Sequence, residues 1–414
     1  MGTVTNWAGN VSFASELQRP ETIEELQELV AAAEKVRVLG TGHSFNRIAD
    51  STGALVSVQD LPKVVEVGER GVTVSAGLRY GEVTAVLQAQ GLALHNLGSL
   101  PHISVAGACS TGTHGSGDGN GPLADAVSAI TFVDAGGELV TLTRDDPDFA
   151  GSVISLGALG VTVSMTLDVQ PSFQISQVVY DGLPVERLGA DLDAVMGSAY
   201  SVSAFTDWVD PAVMVWRKRR ELSAPEPEWL GATLADGPRH PIKVMPADYA
   251  TQQGGVPGPW NERLPHFRLE FTPSNGDELQ SEYFVPRERA AEAFDVLRAL
   301  GNRFAPVIQV SEVRTIAADE LWLSPSQGRD TVALHFTWIQ DETAVRPVVA
   351  ALEDRLAPLD ARPHWGKVFA ADAATFAERY PKVKDFIALA EKYDPTGKFR
   401  NEYLDTFLPL SAQG

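Results

Sequence analysis

Apolar residues near the start of the chain recur with the spacing of a helix that buries one face. Leu26, Val30 and Ala33 lie three or four positions apart, which places their side chains on the same side of a helix. Thr22 precedes them, and Glu25 stands three positions after Thr22, as in a helix N-terminus closed by a capping box. The pattern predicts a helix that begins after Thr22.

Short runs of apolar and β-branched residues predict strands interspersed with helices. Such runs occupy residues 36–39, 72–75 and 139–143. Residues 80–90 instead have apolar positions at helical spacing. The amino-terminal part of the chain therefore mixes both kinds of element.

The pattern changes near Pro171, where strands with one polar face become frequent. In residues 267–271 apolar and charged side chains alternate, which predicts a strand of an antiparallel sheet. Residues 287–300 and 344–356 have helical spacing and predict helices that cover this sheet. The tail predicts helix and turn again, and residues 394–401 predict a segment that docks on the rest of the protein.

Two predicted strands carry polar residues on one face. Glu312 and Arg314 are two positions apart on one strand, as are His335 and Thr337 on another, so each pair points to one side of the sheet. The opposite face is apolar and predicts core. The four polar groups would then line a sheltered space, where each needs a partner. The alternative is an exposed Glu312–Arg314 salt bridge worth only ~0–1 kcal/mol.

Length and charge narrow the class of protein. The chain has 414 residues, of which 44% are hydrophobic and 21% charged, so it is long enough to bury two cores. The formal net charge is −21, from 54 acidic and 33 basic residues, and such a surface repels phosphate backbones and anionic lipids. We expect no nucleic acid partner and no membrane partner, and we predict a monomer.

Cysteine usage and the amino terminus predict a cytoplasmic protein. Cys109 is the sole cysteine of the sequence, so no internal disulfide forms. No cation stands beside it in the sequence, and we expect a buried, unreactive thiol. Residues 1–10 are polar and have neither a basic start nor an apolar run, so we expect neither a secretion signal nor a membrane span.

Three glycine-rich segments are candidates for binding a flat or charged ligand. Residues 40–46 follow a predicted strand and place His43 after Gly-Thr-Gly. A dinucleotide fingerprint needs a third glycine where Phe45 stands, followed by a helix, so a Rossmann site is disfavoured. Residues 98–117 combine glycines with hydroxyl side chains, and residues 157–161 supply a further backbone edge. The alternatives are ordinary turns and, for His43, a structural histidine.

Five motifs along the chain occur in the order of a known family. They are Gly-Thr-Gly-His-Ser at 40–44, Pro-His-Ile-Ser-Val-Ala-Gly at 101–107, Gly-Thr-His-Gly at 112–115, His-Trp-Gly-Lys at 364–367 and the segment 394–401. Together they resemble FAD-dependent oxidoreductases of the vanillyl-alcohol oxidase type and, among these, the alditol oxidases.

The resemblance covers nearly the whole chain and implies a two-domain α+β fold. Residues 1–170 would form the FAD-binding domain. Residues 171–365 would form the substrate (cap) domain, an antiparallel sheet covered by helices, and residues 366–414 would return to the FAD domain.

The resemblance also implies that FAD is covalently bound. In the family, the histidine of the first motif is bonded through its ring to the flavin 8α-methyl group, and the match falls on His43. The neutral imidazole is the nucleophile, so a pKa near neutrality would suit the attachment. The bond withdraws electron density and makes the flavin a stronger hydride acceptor, which suits an alcohol substrate. The residues expected to bind FAD are Val38, Leu39, Gly40, Thr41, Gly42, His43, Ser44, Ser99, Ser104, Gly107, Thr111, Gly112, Thr113, His114, Gly160, Val163 and His364.

A polyol site is the third implication of the resemblance. Each hydroxyl of a polyol both donates and accepts, so a carboxylate accepts from it while cations and a serine donate to it. The implied reaction oxidises the terminal primary alcohol of a small polyol, of the xylitol or sorbitol type, to the aldose, and reduces O₂ to H₂O₂. The residues that match the family's substrate-binding set are Ser99, Glu312, Arg314, Thr337 and Lys367, with His335 beside them.

The mechanistic hypothesis gives catalytic roles to Arg314, Lys367 and His335. Hydride would pass from C1 of the polyol to flavin N5 as the hydroxyl proton leaves. Arg314 and Lys367 would stabilise the negative charge that develops, and His335 is the candidate proton acceptor by residue type. Gly98 is a candidate for oxygen access, because a small residue near this position is associated with that role in related aldonolactone enzymes.

Two other functions remain open at this stage. An aldonolactone oxidoreductase of the gulonolactone or galactonolactone type would share the same cofactor segments. A polyol- or nucleotide-binding protein would keep the fold without catalysis. No metal site is expected, because the histidines lack the spacing of metal ligands.

Overall fold

The computed structural model describes residues 4–69, 71–271 and 276–410. Within these ranges the α-helices are α1 Ile23–Ala32, α2 Tyr80–Ala89, α3 Val105–Ser110, α4 Phe149–Ser152, α5 Val185–Ala190, α6 Leu192–Met196, α7 Trp260–Arg263, α8 Ala290–Phe304, α9 Glu342–Leu356, α10 Ala373–Arg379, α11 Val383–Tyr393 and α12 Glu402–Phe407. The strands are β1 Leu17–Gln18, β2 Val36–Val38, β3 Ala54–Val56, β4 Val65–Val67, β5 Gly71–Ser75, β6 Leu92–Ala93, β7 Val127–Val133, β8 Leu139–Thr143, β9 Val161–Asp168, β10 Gln170–Pro171, β11 Gln174–Pro184, β12 Ser201–Thr206, β13 Ala212–Arg219, β14 Glu228–Trp229, β15 Ala232–Leu234, β16 Pro257–Pro259, β17 Glu278–Pro286, β18 Ile308–Ile316, β19 Thr331–Ile339 and β20 Arg362–Pro363.

The first predicted helix begins where its capping residues indicated. Thr22 has extended backbone, and its side chain accepts a hydrogen bond from the amide of Glu25 at the start of α1. The Glu25 carboxylate accepts from the amide of Glu21 instead of that of Thr22. Leu26 and Val30 are fully buried, so the predicted apolar face packs into the core. The predicted strands at 36–39, 72–75 and 139–143 are confirmed as β2, β5 and β8, and the three further helices as α2, α8 and α9.

The predicted strand at residues 267–271 is wrong. Phe267 makes one bridge with Ala250, and the chain then turns. The amides of His266 and Phe267 both donate to the carbonyl oxygen of Ser99, so the segment is held to a loop and has no neighbouring strand to pair with. Leu269 is 44% exposed. Alternation alone therefore does not make a strand here, because the backbone groups are satisfied elsewhere.

The sheets have an α+β arrangement, as predicted. One ten-stranded sheet has the order β14-β15-β11-β13-β12-β18-β19-β17-β20, with β16 also paired to β11, and its pairs are antiparallel. A five-stranded antiparallel sheet has the order β4-β5-β9-β7-β8. Parallel pairing joins β1, β3 and β2, so β2 delivers the first glycine-rich loop to the edge of this small sheet.

The carboxyl-terminal tail packs into the core of the amino-terminal part. Phe376, Tyr380 and Leu404 belong to the same buried cluster as residues of α2, β7 and β9. Segment 394–401 docks as predicted: Lys398 Nζ donates to the carbonyl oxygen of Val30 at 2.5 Å. Arg37 on β2 in turn donates to the carbonyl oxygen of Phe399 at 2.7 Å. The domain boundaries after residues 170 and 365 stay a prediction.

The free thiol has the character that the sequence indicated. Cys109 is buried, and burial raises its pKa to about 12, so almost no thiolate is present at neutral pH.

None of the helices in the described ranges has the length and apolar content needed to cross a membrane. Residues 1–3 of the amino terminus, on which the prediction of no secretion signal partly depends, lie outside the described ranges.

Candidate active site

A cavity of about 280 Å³ lies between the glycine-rich loops and the polar face of the ten-stranded sheet. It brings together all three glycine-rich segments predicted from the sequence. The residues predicted to bind the cofactor that line it are Val38, Leu39, Gly40, Thr41, Gly42, His43, Ser44, Ser99, Ser104, Gly107, Thr111, Thr113, His114, Gly160 and His364.

Gly112 and Val163 were predicted to bind the cofactor but do not line the cavity. Side chains alternate along β9, so Val163 points into a core cluster with Val161, while its neighbour Thr162 reaches the cavity. Gly112 has φ +74°, and a Cβ there would lie 3.1 Å from Pro325. It therefore serves the turn between two lining residues.

The loop at residues 40–44 has the backbone of an anion cradle. Its five amides donate to no group in the described parts of the chain. Gly42 has φ +72°, which favours glycine. Gly40 packs closely on Ser104, where a Cβ would lie 2.7 Å from Oγ and the hydroxyl would have to move. Successive free amides at a turn bind phosphate oxygens well. The cradle fits the pyrophosphate of FAD.

His43 is held on both sides by its neighbours. Its ring stacks on Trp7 with a centroid distance of 5.2 Å and an interplanar angle of 22°. Its Nδ1 lies 3.0 Å from Thr41 Oγ1. Burial, with His102 and Lys367 nearby, lowers the pKa of His43 to about 4. The pKa of His43 is therefore lower than the value near neutrality that we expected. Burial of the ring disfavours the charged imidazolium. The imidazole is still neutral at pH 7, as nucleophilic attachment requires.

The His43 loop is tied to the His-Trp-Gly-Lys motif. The amide of Phe45 donates to the carbonyl oxygen of Gly366 at 2.7 Å. The side chain of Asn46 donates to the carbonyl oxygens of Trp365 and Lys367. Two motifs more than 300 positions apart in the sequence therefore form one rigid wall, and Lys367 lines the cavity beside the His43 loop.

The opposite wall is a row of polar side chains on adjacent strands. His335 on β19 is paired directly with Glu312 on β18 and with Glu282 on β17. Glu312, Arg314, His335 and Thr337 all line the cavity, as their parity predicted. Glu312 is 5% and Arg314 6% exposed, so the alternative of a salt bridge on a solvated face is wrong.

Arg314 is the central cation of this wall. One of its terminal nitrogens lies 2.7 Å from Glu282 Oε1, and its Nε lies 3.6 Å from Glu312 Oε1. Although burial opposes the charge, the two carboxylates raise the pKa of Arg314 further. Burial alone would raise the pKa of both glutamates, but Arg314 and the neighbouring histidines outweigh it, and both pKa values lie below the ordinary 4.5. All three groups are therefore charged at pH 7.

Several lining residues were not predicted from the sequence. Glu278, Gln280 and Glu282 alternate on β17 and line the same cavity, and Lys367 Nζ donates to Gln280 Oε1. Their alternation along the strand, with Leu279 and Tyr283 at the opposite parity, was an available signal of a polar strand face. His266 also lines the cavity, with Nε2 2.7 Å from Glu312 Oε1. No local pattern marks it, because it lies on an irregular segment.

Three further histidines, His335, His114 and His364, lie among the polar groups of the site. His335 Nδ1 lies 3.5 Å from Glu282 Oε2, and its Nε2 lies 3.3 Å from Thr337 Oγ1. Burial lowers the pKa of His335 below 6.5, although Glu282 opposes the shift. His114 Nε2 lies 3.1 Å from Glu282 Oε1, and the ring of His364 stacks on Phe284. The described residues contain no cluster of side chains able to hold a metal ion.

Comparisons with known proteins agree with this geometry. The FAD binding domain family matches residues 15–143, and the D-arabinono-1,4-lactone oxidase family matches residues 276–407. An alditol oxidase from Streptomyces sp. (strain IKD472 / FERM P-14339) is 51% identical over 98% of this chain and 99% of its own length. An L-gulono-1,4-lactone dehydrogenase from Mycobacterium tuberculosis is 30% identical over 96% of this chain and 97% of its own. The solved structure of cholesterol oxidase from B. sterolicum has the same fold, with a TM-score of 0.78 and 16% identity over 98% of this chain and 96% of that chain.

Proposed function

Because this chain belongs to the family of FAD-dependent alditol and aldonolactone oxidases, we propose that it oxidises the terminal primary alcohol of a small polyol to the aldose. Dioxygen would take the two electrons and two protons and leave as H₂O₂. Since the family is one of enzymes, the alternative of a non-catalytic binding protein is set aside.

One observation carries the proposal: two buried nitrogens of the cavity have only long contacts with the protein. Arg314 Nε and His335 Nδ1 make no hydrogen bond with the described residues, and their carboxylate neighbours lie at 3.6 and 3.5 Å. Buried polar groups are nearly always satisfied by protein, water or ligand. A ligand rich in hydroxyl groups supplies acceptors for Arg314 and Lys367 and donors for Glu312 and Thr337. A hydrocarbon ligand would leave these groups unpaired, at a cost of several kcal/mol.

The charged groups also suit the chemistry of alcohol oxidation. FAD supplies the hydride acceptor when it is bound. Arg314 and Lys367 place fixed positive charge beside the substrate oxygen, in a site where burial weakens solvent screening. His335 is neutral and therefore able to accept the hydroxyl proton. Glu312 binds a neighbouring hydroxyl and orients the carbon chain.

Covalent attachment of FAD through His43 is part of the proposal. The neutral ring, its stack on Trp7 and its position in the amide cradle support it. A ring that is already oriented loses little conformational freedom when the bond to the flavin forms.

A panel of substrates tests the activity. The purified flavoprotein is mixed anaerobically with xylitol, sorbitol, mannitol and glycerol, and in parallel with L-gulono-1,4-lactone and D-arabinono-1,4-lactone, while flavin absorbance at its visible maximum is followed. We expect bleaching by polyols, and on readmission of air we expect return of the yellow form together with stoichiometric peroxide. Bleaching by lactones alone would replace the proposal with the aldonolactone function, which the match over residues 276–407 favours.

Removing the His335 ring tests the proton acceptor. His335→Ala should slow flavin reduction by polyol about 10²- to 10⁴-fold. A histidine that accepts a proton must be neutral. In the parent the rate of flavin reduction should therefore fall as the pH drops through the pKa of His335, which lies below 6.5. The variant should lack this decrease at low pH. Stopped-flow reduction from pH 5 to 9 measures both. If the variant keeps the full rate across that range, His335 is not the acceptor.

Substitution of Gly98 tests whether dioxygen reaches the flavin past this position. A Cβ at Gly98 would lie 3.6 Å from Ile103 Cδ1 and Thr113 Cγ2, so a larger side chain is tolerated but fills the space beside Ser99. Gly98→Val should slow reoxidation of the reduced enzyme roughly tenfold, equivalent to ~1.4 kcal/mol, and leave reduction by polyol nearly unchanged. Gly98→Ala is the matched control with a smaller effect. Equal losses in the two half-reactions would rule out a specific role in oxygen access.

A further inference from the structure

A fully buried lysine lies behind the substrate wall, and the chemistry described above does not use it. Lys218 on β13 is 1% exposed. Its Nζ contacts the carbonyl oxygens of Arg263, Leu264 and Pro265 at 3.0, 2.5 and 2.9 Å. A neutral amine has only two N–H groups for three carbonyl oxygens, so these contacts favour the ammonium form although burial lowers the pKa of Lys218.

The ammonium group also faces a histidine of the active site. Lys218 Nζ lies 3.1 Å from His266 Nδ1. An ammonium has no lone pair, so it cannot accept a hydrogen bond from a protonated Nδ1. Its three N–H groups are shared among four acceptors, Nδ1 among them, and this contact fits only a ring with its proton on Nε2. On the other side, Nε2 lies 2.7 Å from Glu312 Oε1. A carboxylate there requires a donor, so both neighbours demand the same tautomer.

The ring of His266 has little freedom to turn. It lies edge to face with Trp216 at 5.3 Å and 61°, and with Phe205 at 5.7 Å and 68°. Ser203 Oγ lies 3.2 Å from Nε2. The amide of His266 donates to the carbonyl oxygen of Ser99, itself a predicted substrate residue. The backbone and the ring of His266 are therefore fixed together.

We propose that Lys218 is a positioning residue that holds His266 as the Nε2–H tautomer and thereby fixes the Glu312 carboxylate as an acceptor for substrate hydroxyls. This inference rests on the proposed polyol oxidation for its kinetic consequence, but not for the tautomer itself. Glu312 has Arg314 Nε on one side, at 3.6 Å, and His266 on the other. Both contacts are made by Glu312 Oε1, so loss of the His266 donor leaves the carboxylate group with only the longer contact and freer to rotate or to take up a proton.

The tautomer is measured first, without any substrate. The holoenzyme is labelled with ¹⁵N-histidine, and the His266 resonances are identified by their loss in His266→Gln. We expect a protonated Nε2 and an unprotonated Nδ1 in the parent. In Lys218→Met only Glu312 still favours this tautomer, so we expect a second population with the proton on Nδ1; an unchanged single tautomer would show that Glu312 alone sets it and would overturn the proposal. A parent His266 with the proton on Nδ1, or on both nitrogens, would overturn the proposal.

The kinetic consequence is measured by a double-mutant cycle. Lys218→Met should raise the polyol KM roughly tenfold or more, the effect of losing a hydrogen bond to a charged group, with kcat changed less than about threefold. In the His266→Gln background the amide nitrogen donates to Glu312 without help from Lys218. The same lysine substitution should then raise KM little further.

The cycle separates positioning from a general structural role. If Lys218 only stabilised the fold, Lys218→Met would raise KM by the same factor in both backgrounds, and that result would overturn the proposal. Flavin spectra and melting temperatures of all four proteins show whether each remains folded. If no polyol reduces even the parent, the proposed function fails, while the NMR result still decides whether Lys218 sets the tautomer of His266.

Discussion

Replacing His43 with alanine is expected to abolish retention of FAD through denaturation. The parent should give a yellow pellet in acid and a fluorescent band on a denaturing gel, while His43→Ala should give neither. The amide cradle at residues 40–44 remains, so the native variant should still bind FAD reversibly. Without the electron-withdrawing imidazole the flavin accepts hydride less readily, and we expect reduction by polyol to slow about tenfold or more, the effect of ~1.4 kcal/mol in the barrier.

A second histidine of the same motifs supplies the control for this experiment. His102 is half-buried, and its Nε2 lies 2.8 Å from the carbonyl oxygen of Leu269. His102→Ala should keep the covalent pigment, because its ring lies outside the lining of the cavity. Pigment retained by denatured His43→Ala would refute the linkage. Pigment lost from both variants would indicate that loop order, and not a bond to His43, governs retention.

Local periodicity predicted much of the fold and part of the site. Parity along β18 and β19 correctly placed Glu312, Arg314, His335 and Thr337 on one wall, because side-chain direction in a strand depends only on position. The same rule explains why the side chain of Val163 does not line the cavity. Its neighbour Thr162 has the polar side chain and the correct parity for the cavity, whereas the resemblance that named Val163 took no account of strand direction.

The contacts that complete the site depend on tertiary structure and were beyond local reasoning. The Glu282 carboxylate contacts His114 and Arg314, which are 168 and 32 positions away in the sequence. It also lies beside His335 on the neighbouring strand. In the sequence, nothing distinguishes Lys218 from the arginines that flank it, although Lys218 is fully buried. Nor did the alternation at 267–271 reveal that Ser99 accepts the amide hydrogen bonds of that segment. Such partners follow from the packing of distant elements.

Replacing Arg314 with methionine should cause the largest combined loss of activity and stability. Methionine keeps much of the volume but removes the charge that lies between Glu282 and Glu312. Loss of a fixed donor to the developing negative charge should slow polyol reduction of the flavin about 10²- to 10³-fold. The two buried carboxylates lose their common cation, so the free energy of unfolding should fall by ~3 kcal/mol. Stopped-flow reduction and urea unfolding measure the two effects.

The pH dependence of this stability loss distinguishes the charge from the packing. In the parent, both carboxylates have a pKa below the ordinary 4.5, so their contribution to stability is present above pH 4.5 and is lost as the pH falls through the folded-state pKa values. The difference between the parent and Arg314→Met should therefore be full above pH 4.5 and shrink as the pH falls below 4.5. Arg314→Lys, which keeps the charge, should recover most of the stability but only part of the rate, because lysine lacks the planar fork of donors. A stability difference that stays constant as the pH falls from 7 to 3 would show that Arg314 acts through packing alone.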